Sequence, residues 1–253
     1  MTTITLHHFT SFDGTKLAIH EMGAGHPVVL LHGYFSDAAT NWIKYGHAAT
    51  LAAAGYRVIM PDLRAHGVSA KPHDATSYPP DVLADDGFAL ITQLGLTDYD
   101  LGGYSLGART VARMLVRGAT PRCAIISGMG LVGLTHTQLR AAHFRSVFAG
   151  LGSHKQGSPQ WMAEAFLKTS GGDPVALERV LDTFIDTTET ELHGLSLPIG
   201  VVCGVDDQDN GSAAALVDIL SNATLFTVPG NHMSAVAKPD LGIAMARYLN
   251  DIV

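Results

Sequence analysis

Val28-Val29-Leu30-Leu31 constrains the fold more than any other stretch of the chain. Four apolar residues follow one another without a polar interruption, between Gly23-Ala24-Gly25-His26-Pro27 and His32-Gly33-Tyr34. A strand with one wet face alternates apolar and polar residues. A run without alternation suits a strand buried on both faces, as in a parallel sheet covered by helices. Further strands are expected at Arg57–Met60, Cys123–Ile126, Ile199–Cys203 and Thr224–Val228. Helical spacing fills the gaps: Asn41–Ala54 stopped by Gly55, Pro79 to about Leu94 stopped by Gly95, Gly211–Leu220, and Met233–Leu249. Ile4–Thr10 and Lys16–Glu21 flank Asp13-Gly14 and predict a leading antiparallel hairpin. Alternating β and α with right-handed crossovers gives the α/β class, with a doubly wound, mostly parallel sheet of eight strands.

The rhythm fails from Ser127 to Leu197. Helical pieces at Thr135–Phe148, Pro159–Lys168 and Val175–Ile185 are separated by Gly152-Ser153 and Ser170-Gly171-Gly172. The expected organisation is a core of residues 1–127 and 197–253 with a helical cap, 128–196, inserted after the sixth strand. Phe144, Phe148, Trp161, Met162, Phe166, Leu167 and Phe184 are expected to form the insert's own small core and its seat on the sheet. Met129 and Leu131, just past the sixth strand, are candidates to line an apolar pocket.

The chain has 253 residues, 47% of them hydrophobic and 15% charged, enough to build a sizeable core. The formal net charge is −7 and no Lys/Arg run stands out, which argues against nucleic acid or an anionic membrane surface as partner. The two cysteines, Cys123 and Cys203, lie in apolar runs and are expected to be buried, inert thiols. Nothing resembles a disulfide framework, a signal peptide or an apolar stretch of about 18 residues. The expectation is a cytoplasmic protein, monomer or homodimer, whose partner is a small molecule.

In open α/β sheets ligands bind beyond the carboxyl ends of the strands. Ser105 stands there inside Leu101–Thr110, LGGYSLGART, with Thr97–Leu101 readable as the strand before it and Ala108–Arg117 as the helix after it. Strand, tight turn, Ser and helix are the context of a nucleophile elbow, and Gly103 and Gly107 supply the small neighbours it needs. Asp62, Arg64 and His66 follow the fourth strand; Asp206, Asp207 and Asp209 follow the seventh; Asn231 and His232 follow the eighth. A Ser, an acid and a His therefore share one rim. A Ser hydroxyl needs a base, for which His232 is the candidate, and a carboxylate must hold the imidazole tautomer and stabilise its cation. Attack on a carbonyl also creates an oxyanion. The N–H of Leu106 and the Gly33-Tyr34 turn are the expected donors for it.

Over nearly its whole length the chain resembles the α/β-hydrolase family. The resemblance is carried by Leu30-Leu31-His32-Gly33, Asp62-Leu63-Arg64-Ala65-His66-Gly67-Val68-Ser69, Gly103-Tyr104-Ser105-Leu106-Gly107, Cys203-Gly204-Val205-Asp206-Asp207 and Gly230-Asn231-His232. It implies Ser105 as nucleophile, His232 as general base, Tyr34 and Leu106 as oxyanion hole, and no cofactor. The family's Gly-x-x-Asp pattern, counted from Gly204, selects Asp207 over its neighbours. His32 is implied as a support of the oxyanion turn and His66 as a structural turn residue. Ala65 replaces a Gly of the family pattern. Tyr34-Phe35-Ser36-Asp37 stands where some relatives have a Gly-rich run, and Ser occupies the position at which haloalkane- and epoxide-acting members use Asp.

Tyr34 and Phe35 are expected on the acyl side and Met233 beside the pocket. The remaining histidines, among them His7-His8, His136, His143, His154 and His193, show no ligand spacing, so no metal is expected. The expected reaction is hydrolysis of a carboxylic ester of a small to medium apolar substrate through an acyl-enzyme. Alternatives are hydrolysis of a carbon–carbon bond in ring-cleavage-type diketones and acyl transfer. A non-catalytic ligand-binding relative would be marked by a missing Ser, Asp or His.

Overall fold

In the computed structural model the apolar runs assemble side by side into one sheet. It describes residues 3–252; Met1, Thr2 and Val253, at the outer ends of the expected core segments, lie outside the described residues. The chain begins with β1 (Ile4–Thr10), β2 (Lys16–Met22) and β3 (His26–Leu31), then α1 (His47–Ala53), β4 (Tyr56–Pro61), α2 (Val82–Gln93), β5 (Asp100–Tyr104), α3 (Leu106–Val116) and β6 (Ala124–Ser127). Helices α4 (Leu131–Thr135), α5 (Thr137–Ala149), α6 (Pro159–Thr169), α7 (Pro174–Asp182) and α8 (Glu189–His193) follow. The chain closes with β7 (Ile199–Gly204), α9 (Ala213–Ile219), β8 (Ala223–Val228), α10 (His232–Ala235) and α11 (Asp240–Asp251). Among the described residues the sheet has eight strands in the order β1-β2-β4-β3-β5-β6-β7-β8. β1 and β2 pair antiparallel, as do β2 and β4, and every pairing from β3 onward is parallel.

The period of two explains why the central strands are apolar throughout. Val28, Leu30, Val58, Met60, Ile125 and Val202 face one side, packed with residues of α1 and α11. Val29, Leu31, Ile59, Ile126 and Val201 face the other, packed with α2 and α3. Both sides of the sheet are therefore covered, and a polar residue on either would be buried without a partner.

The segment between β6 and β7 differs from its expectation. Ala141, Val147, Leu167, Leu177, Val180 and Leu181 join the same cluster as Val29, Leu31 and the α2–α3 side of the sheet, rather than forming a separate core. Trp161 and Met162, expected inside, are 38% and 55% exposed. Sequence periodicity locates the apolar face of a helix and says nothing of whether a partner covers it.

Three boundaries also moved. The strand expected at Thr97–Leu101 is Asp100–Tyr104. Gly102 and Gly103 are poor strand formers, yet they lie in the strand because a Cβ on Gly102 would come within 3.0 Å of the Leu30 side chain and one on Gly103 would meet the backbone of Gly107. The helix expected over Asn41–Ala54 is a π-helical turn, Ala39–Ile43, followed by α1, because Gly46 takes a left-handed φ of 83° between them. The C-terminal helix is split into α10 and α11, with Pro239 immediately before the second.

Candidate active site

Ser105 sits between β5 and α3 with φ 54° and ψ −110°, a positive φ that a non-glycine residue adopts only when its surroundings enforce it. Here they do. The Ser105 N–H donates to the Ser127 carbonyl on β6 (2.9 Å), and the Arg109 N–H donates to the Ser105 carbonyl (3.0 Å) at the start of α3. A side chain at Gly107 would collide with the Leu31 carbonyl at the end of β3, so α3 approaches the sheet only as closely as glycine permits.

His232 is the first residue of α10. Asn231 caps that helix: its side chain accepts from the Ser234 N–H, and its own N–H donates to Ser234 Oγ, both at 2.9 Å. Tyr104 Oη donates to the His232 carbonyl at 2.5 Å, with the two rings 5.3 Å apart. Thus the residue before Ser105 also fixes the backbone of His232. His232 Nδ1 donates to Asp207 Oδ2 at 2.8 Å, and His232 Nε2 lies 3.0 Å from Ser105 Oγ. That Nδ1 donates to a carboxylate leaves Nε2 as the acceptor facing the hydroxyl. Of the three acids after β7, Asp207 alone bonds the imidazole; Asp206 is exposed, and Asp209 turns away to Arg140 on α5 (2.8 Å). Burial raises the Asp207 pKa, but the bond to His232, the imidazole charge and the Asp209 N–H more than offset it, so the carboxyl lies below its ordinary value. Burial, with the Asp207 carboxylate nearby, pushes the Cys203 thiol up to about 12, so it stays protonated beside the acid.

The turn after β3 faces the elbow: a Cβ on Gly33 would come within 3.5 Å of the Ser105 Cβ. The Gly33 N–H donates to Asn41 Oδ1 (3.0 Å), and the Gly33 carbonyl accepts from His32 Nδ1 (2.8 Å). His32 Nε2 in turn accepts the Leu63 N–H (2.9 Å), so both ring nitrogens are used in holding the turn. Burial lowers the His32 pKa, which keeps this tautomer neutral. Among the described residues the N–H groups of Tyr34 and Leu106 meet no protein acceptor, which leaves two donors on either side of Ser105.

The aromatic residues of the turn are less accessible than expected. Tyr34 and Phe35 stack at 4.4 Å and meet Phe144 of α5 at 4.5 and 5.0 Å, and Phe148 packs on Phe35 at 5.6 Å. Tyr34 Oη donates to the Leu177 carbonyl of α7 (2.6 Å), tying the turn to the inserted helices. Phe35 and Met129 are buried, Leu131 is half-buried at the first position of α4, and Met233 is 53% exposed next to His232. The roles of Asn41 and Tyr104 carried no sequence signal, since each depends on a partner 8 or 128 positions away.

A family model of the α/β-hydrolase fold matches residues 26–139. An epoxide hydrolase of Caballeronia sordidicola is 38% identical over 96 residues, which cover 38% of this chain and 28% of that protein. A 2-hydroxymuconate semialdehyde hydrolase of Pseudomonas is 31% identical over 104 residues, 41% of this chain and 36% of that protein. The matched stretch thus spans about a third of these relatives' own length. A thermophilic esterase of Thermogutta terrifontis, solved with malate bound, superimposes with a TM-score of 0.79 over 98% of this chain and 99% of its own at 20% identity. These likenesses establish the fold.

Proposed function

We propose that this chain, a protein of the α/β-hydrolase fold, is a serine hydrolase that cleaves carboxylic esters of small to medium apolar substrates through an acyl-enzyme. The observation that carries the reading is the line Ser105 Oγ, His232 Nε2 and Nδ1, Asp207 Oδ2, at 3.0 and 2.8 Å. In this reading His232 Nε2 takes the Ser105 proton as Oγ attacks the ester carbonyl. The oxyanion is stabilised by the N–H groups of Tyr34 and Leu106, and Asp207 stabilises the imidazolium. His232 then gives the proton to the departing alcohol. In the second half, water loses a proton to Nε2, attacks the acyl carbon, and the acid leaves as the proton returns to Ser105. No step requires a cofactor. Residues 128–196 act as the cap over this site, and Phe35, Met129, Leu131 and Met233 border the substrate. Two free, buried cysteines accord with a reducing, cytoplasmic setting.

The similarity to an epoxide hydrolase does not transfer its chemistry. An ester intermediate with a carboxylate nucleophile needs Asp at the elbow, and this chain has Ser105 there. The similarity to a 2-hydroxymuconate semialdehyde hydrolase favours carbon–carbon bond hydrolysis as the second reading. Fluorophosphonate labelling and a panel of p-nitrophenyl esters and vinylogous diketones test both. The expected result is labelling at Ser105, ester turnover, and loss of both in Ser105→Ala by about three orders of magnitude or more. Labelling and turnover that survive in the variant would remove Ser105 from the mechanism; turnover of diketones alone selects the second reading.

A further inference from the structure

Ser105 follows β5 and His232 follows β8, and β6 and β7 lie between these strands. Among the described residues β5 and β8 share no ladder pairing, so the sheet alone does not fix how far Ser105 stands from His232. Yet Ser105 Oγ and His232 Nε2 meet at 3.0 Å. Asp207 holds the imidazole at Nδ1 and so sets the rotation of the ring. The main chain of His232 needs a hold of its own, because α10 is only four residues long. Tyr104 provides one. Its Oη donates to the His232 carbonyl at 2.5 Å, and its ring centre lies 5.3 Å from that of the imidazole, with the planes inclined at 39°. Tyr104 is 4% exposed, so bulk water does not compete for the bond.

A buried phenol must find an acceptor, and a core tyrosine can satisfy itself on any nearby carbonyl. Three observations give this bond a narrower meaning. Tyr104 and Ser105 are consecutive, so one peptide unit and one hydrogen bond join the Ser105 turn to His232 across the two intervening strands. The seat of the ring is cleared by Gly128, which takes a left-handed φ of 57° just after β6. A Cβ there would lie 2.6 Å from Tyr104 Cζ and 2.9 Å from both Cε atoms. Burial, with the Asp207 carboxylate nearby, also pushes the Tyr104 hydroxyl well above its ordinary range, so it stays a donor. We propose that Tyr104 is a positioning residue for the general base: its hydroxyl holds His232 so that Nε2 stays within proton-transfer reach of Ser105 Oγ. This rests on the Ser105 reading above and adds a fourth side chain to it. Misplacing a reacting group by about 1 Å costs roughly 10²-fold in rate, and His232 acts in both halves of that reaction. Tyr104 acts through His232 and not on the substrate, so its loss is expected in kcat rather than in KM.

The test measures p-nitrophenyl butyrate turnover in the wild-type protein, Tyr104→Phe, His232→Ala and the double variant, with urea unfolding of each. Tyr104→Phe keeps the ring and removes only the donor. The expected result is a kcat lower by about tenfold or more, with KM within about twofold. In the His232→Ala background the same change is expected to alter the residual turnover by less than about twofold, because no imidazole is left to hold. The His232 Nδ1–H proton signal, assigned by its absence in His232→Ala, is expected to broaden in Tyr104→Phe as its exchange with water quickens. Any one of three results overturns the proposal: a kcat within about twofold of wild type, equal losses in the two backgrounds, or an unchanged proton signal. Equal losses are what a tyrosine that only supports the fold produces. If the wild-type protein hydrolyses no ester and takes no fluorophosphonate label, the Ser105 reading has failed. A Tyr104-dependent proton signal then places that failure at Ser105 and not in the hold on His232.

Discussion

Two acid–histidine groups stand beyond the carboxyl ends of β7 and β4, with three strands between them, and they use their imidazole nitrogens differently. After β7, Asp207 uses one oxygen on His232 and the other on the Asp209 N–H (3.1 Å), and His232 Nε2 is free to meet the Ser105 hydroxyl. After β4, Asp62 accepts from the N–H groups of Ala38 (2.9 Å) and Val68 (2.8 Å) and from His20 Nε2 (3.3 Å). The histidines around it, His32 and His66, are turned into struts: His32 spends both nitrogens on backbone, and His66 Nδ1 donates to the Arg64 carbonyl (2.8 Å). His66 Nε2 is buried and has no hydrogen-bond partner among the described residues. Residue type and burial are shared by the two groups. What separates them is whether the second imidazole nitrogen faces a hydroxyl, a backbone N–H or nothing.

The sharpest way to break this comparison is at the acid. Asp207→Asn cannot stabilise the imidazolium, and its amide offers the wrong hydrogen-bonding partner to Nδ1–H in one of its two orientations. Ester turnover is expected to fall by roughly three to four orders of magnitude, with little change in KM. Asp209→Asn, two residues away and bonded to Arg140, is expected to retain activity within about threefold. Steady-state kinetics of the two variants decide it; a larger loss in Asp209→Asn would move the acid of the triad.

The group after β4 should instead reveal itself in stability against pH. Burial lowers the His66 pKa from 6.5 to about 3. Below pH 6.5 the unfolded chain therefore takes up a proton that the folded chain refuses, and stability falls by about 1.4 kcal/mol per pH unit as pH drops toward 3. Asp62 acts in a second, lower window. Burial raises its pKa, but His20, His32 and two backbone N–H groups hold it down to about 2 against an ordinary 3.8, so roughly 2 kcal/mol is present above pH 3.8 and lost as pH falls to about 2. Denaturant unfolding between pH 7 and 5 is expected to show the slope reduced by about one proton in His66→Gln. The neutral, buried His32 and His47 keep a part of it. An unaltered slope would mean that His66 is already protonated in the fold.

What sequence alone makes legible follows the same division between local and non-local causes. Val28–Leu31 and Ile199–Cys203 identify their strands because burial on both faces leaves no polar residue to confuse the period. Ser105, Asp207 and His232 are legible as a group because each lies in the turn or loop that follows a strand, where the topology gathers residues distant in the chain. β5 is displaced in the sequence reading because Gly102 and Gly103 look like a turn, and only the approach of α3 makes them strand. The burial of Arg109 on α3 is invisible for a related reason. An arginine on an amphipathic helix looks like part of a solvated face, and its burial depends on where Gly133 and Phe184 come to rest. Trp161 and Met162 fail in the opposite sense, apolar by composition and left uncovered. In each case the missing information is a contact across elements, which no periodicity encodes.

The smallest expected effect concerns the link between the two regions of the molecule that the sequence treats most differently. Arg140 on α5 reaches Asp209 at 2.8 Å, joining the inserted helices to the loop that holds Asp207. Asp209 is 42% exposed and its partner 21%, so water screens the pair, and surface pairs of this kind contribute about 0–1 kcal/mol. Arg140 also stacks over Phe144 at 5.0 Å, and that ring packs on Tyr34, so loss of the guanidinium removes packing as well as charge. A double-mutant cycle with Arg140→Gln and Asp209→Asn separates the two contributions. The expected coupling energy is below about 1 kcal/mol, with Arg140→Gln the costlier single change because Asp209→Asn leaves the Phe144 contact in place. A coupling well above that would make the ion pair, rather than the aromatic stack, the main fastening of α5 over the Gly33-Tyr34 turn.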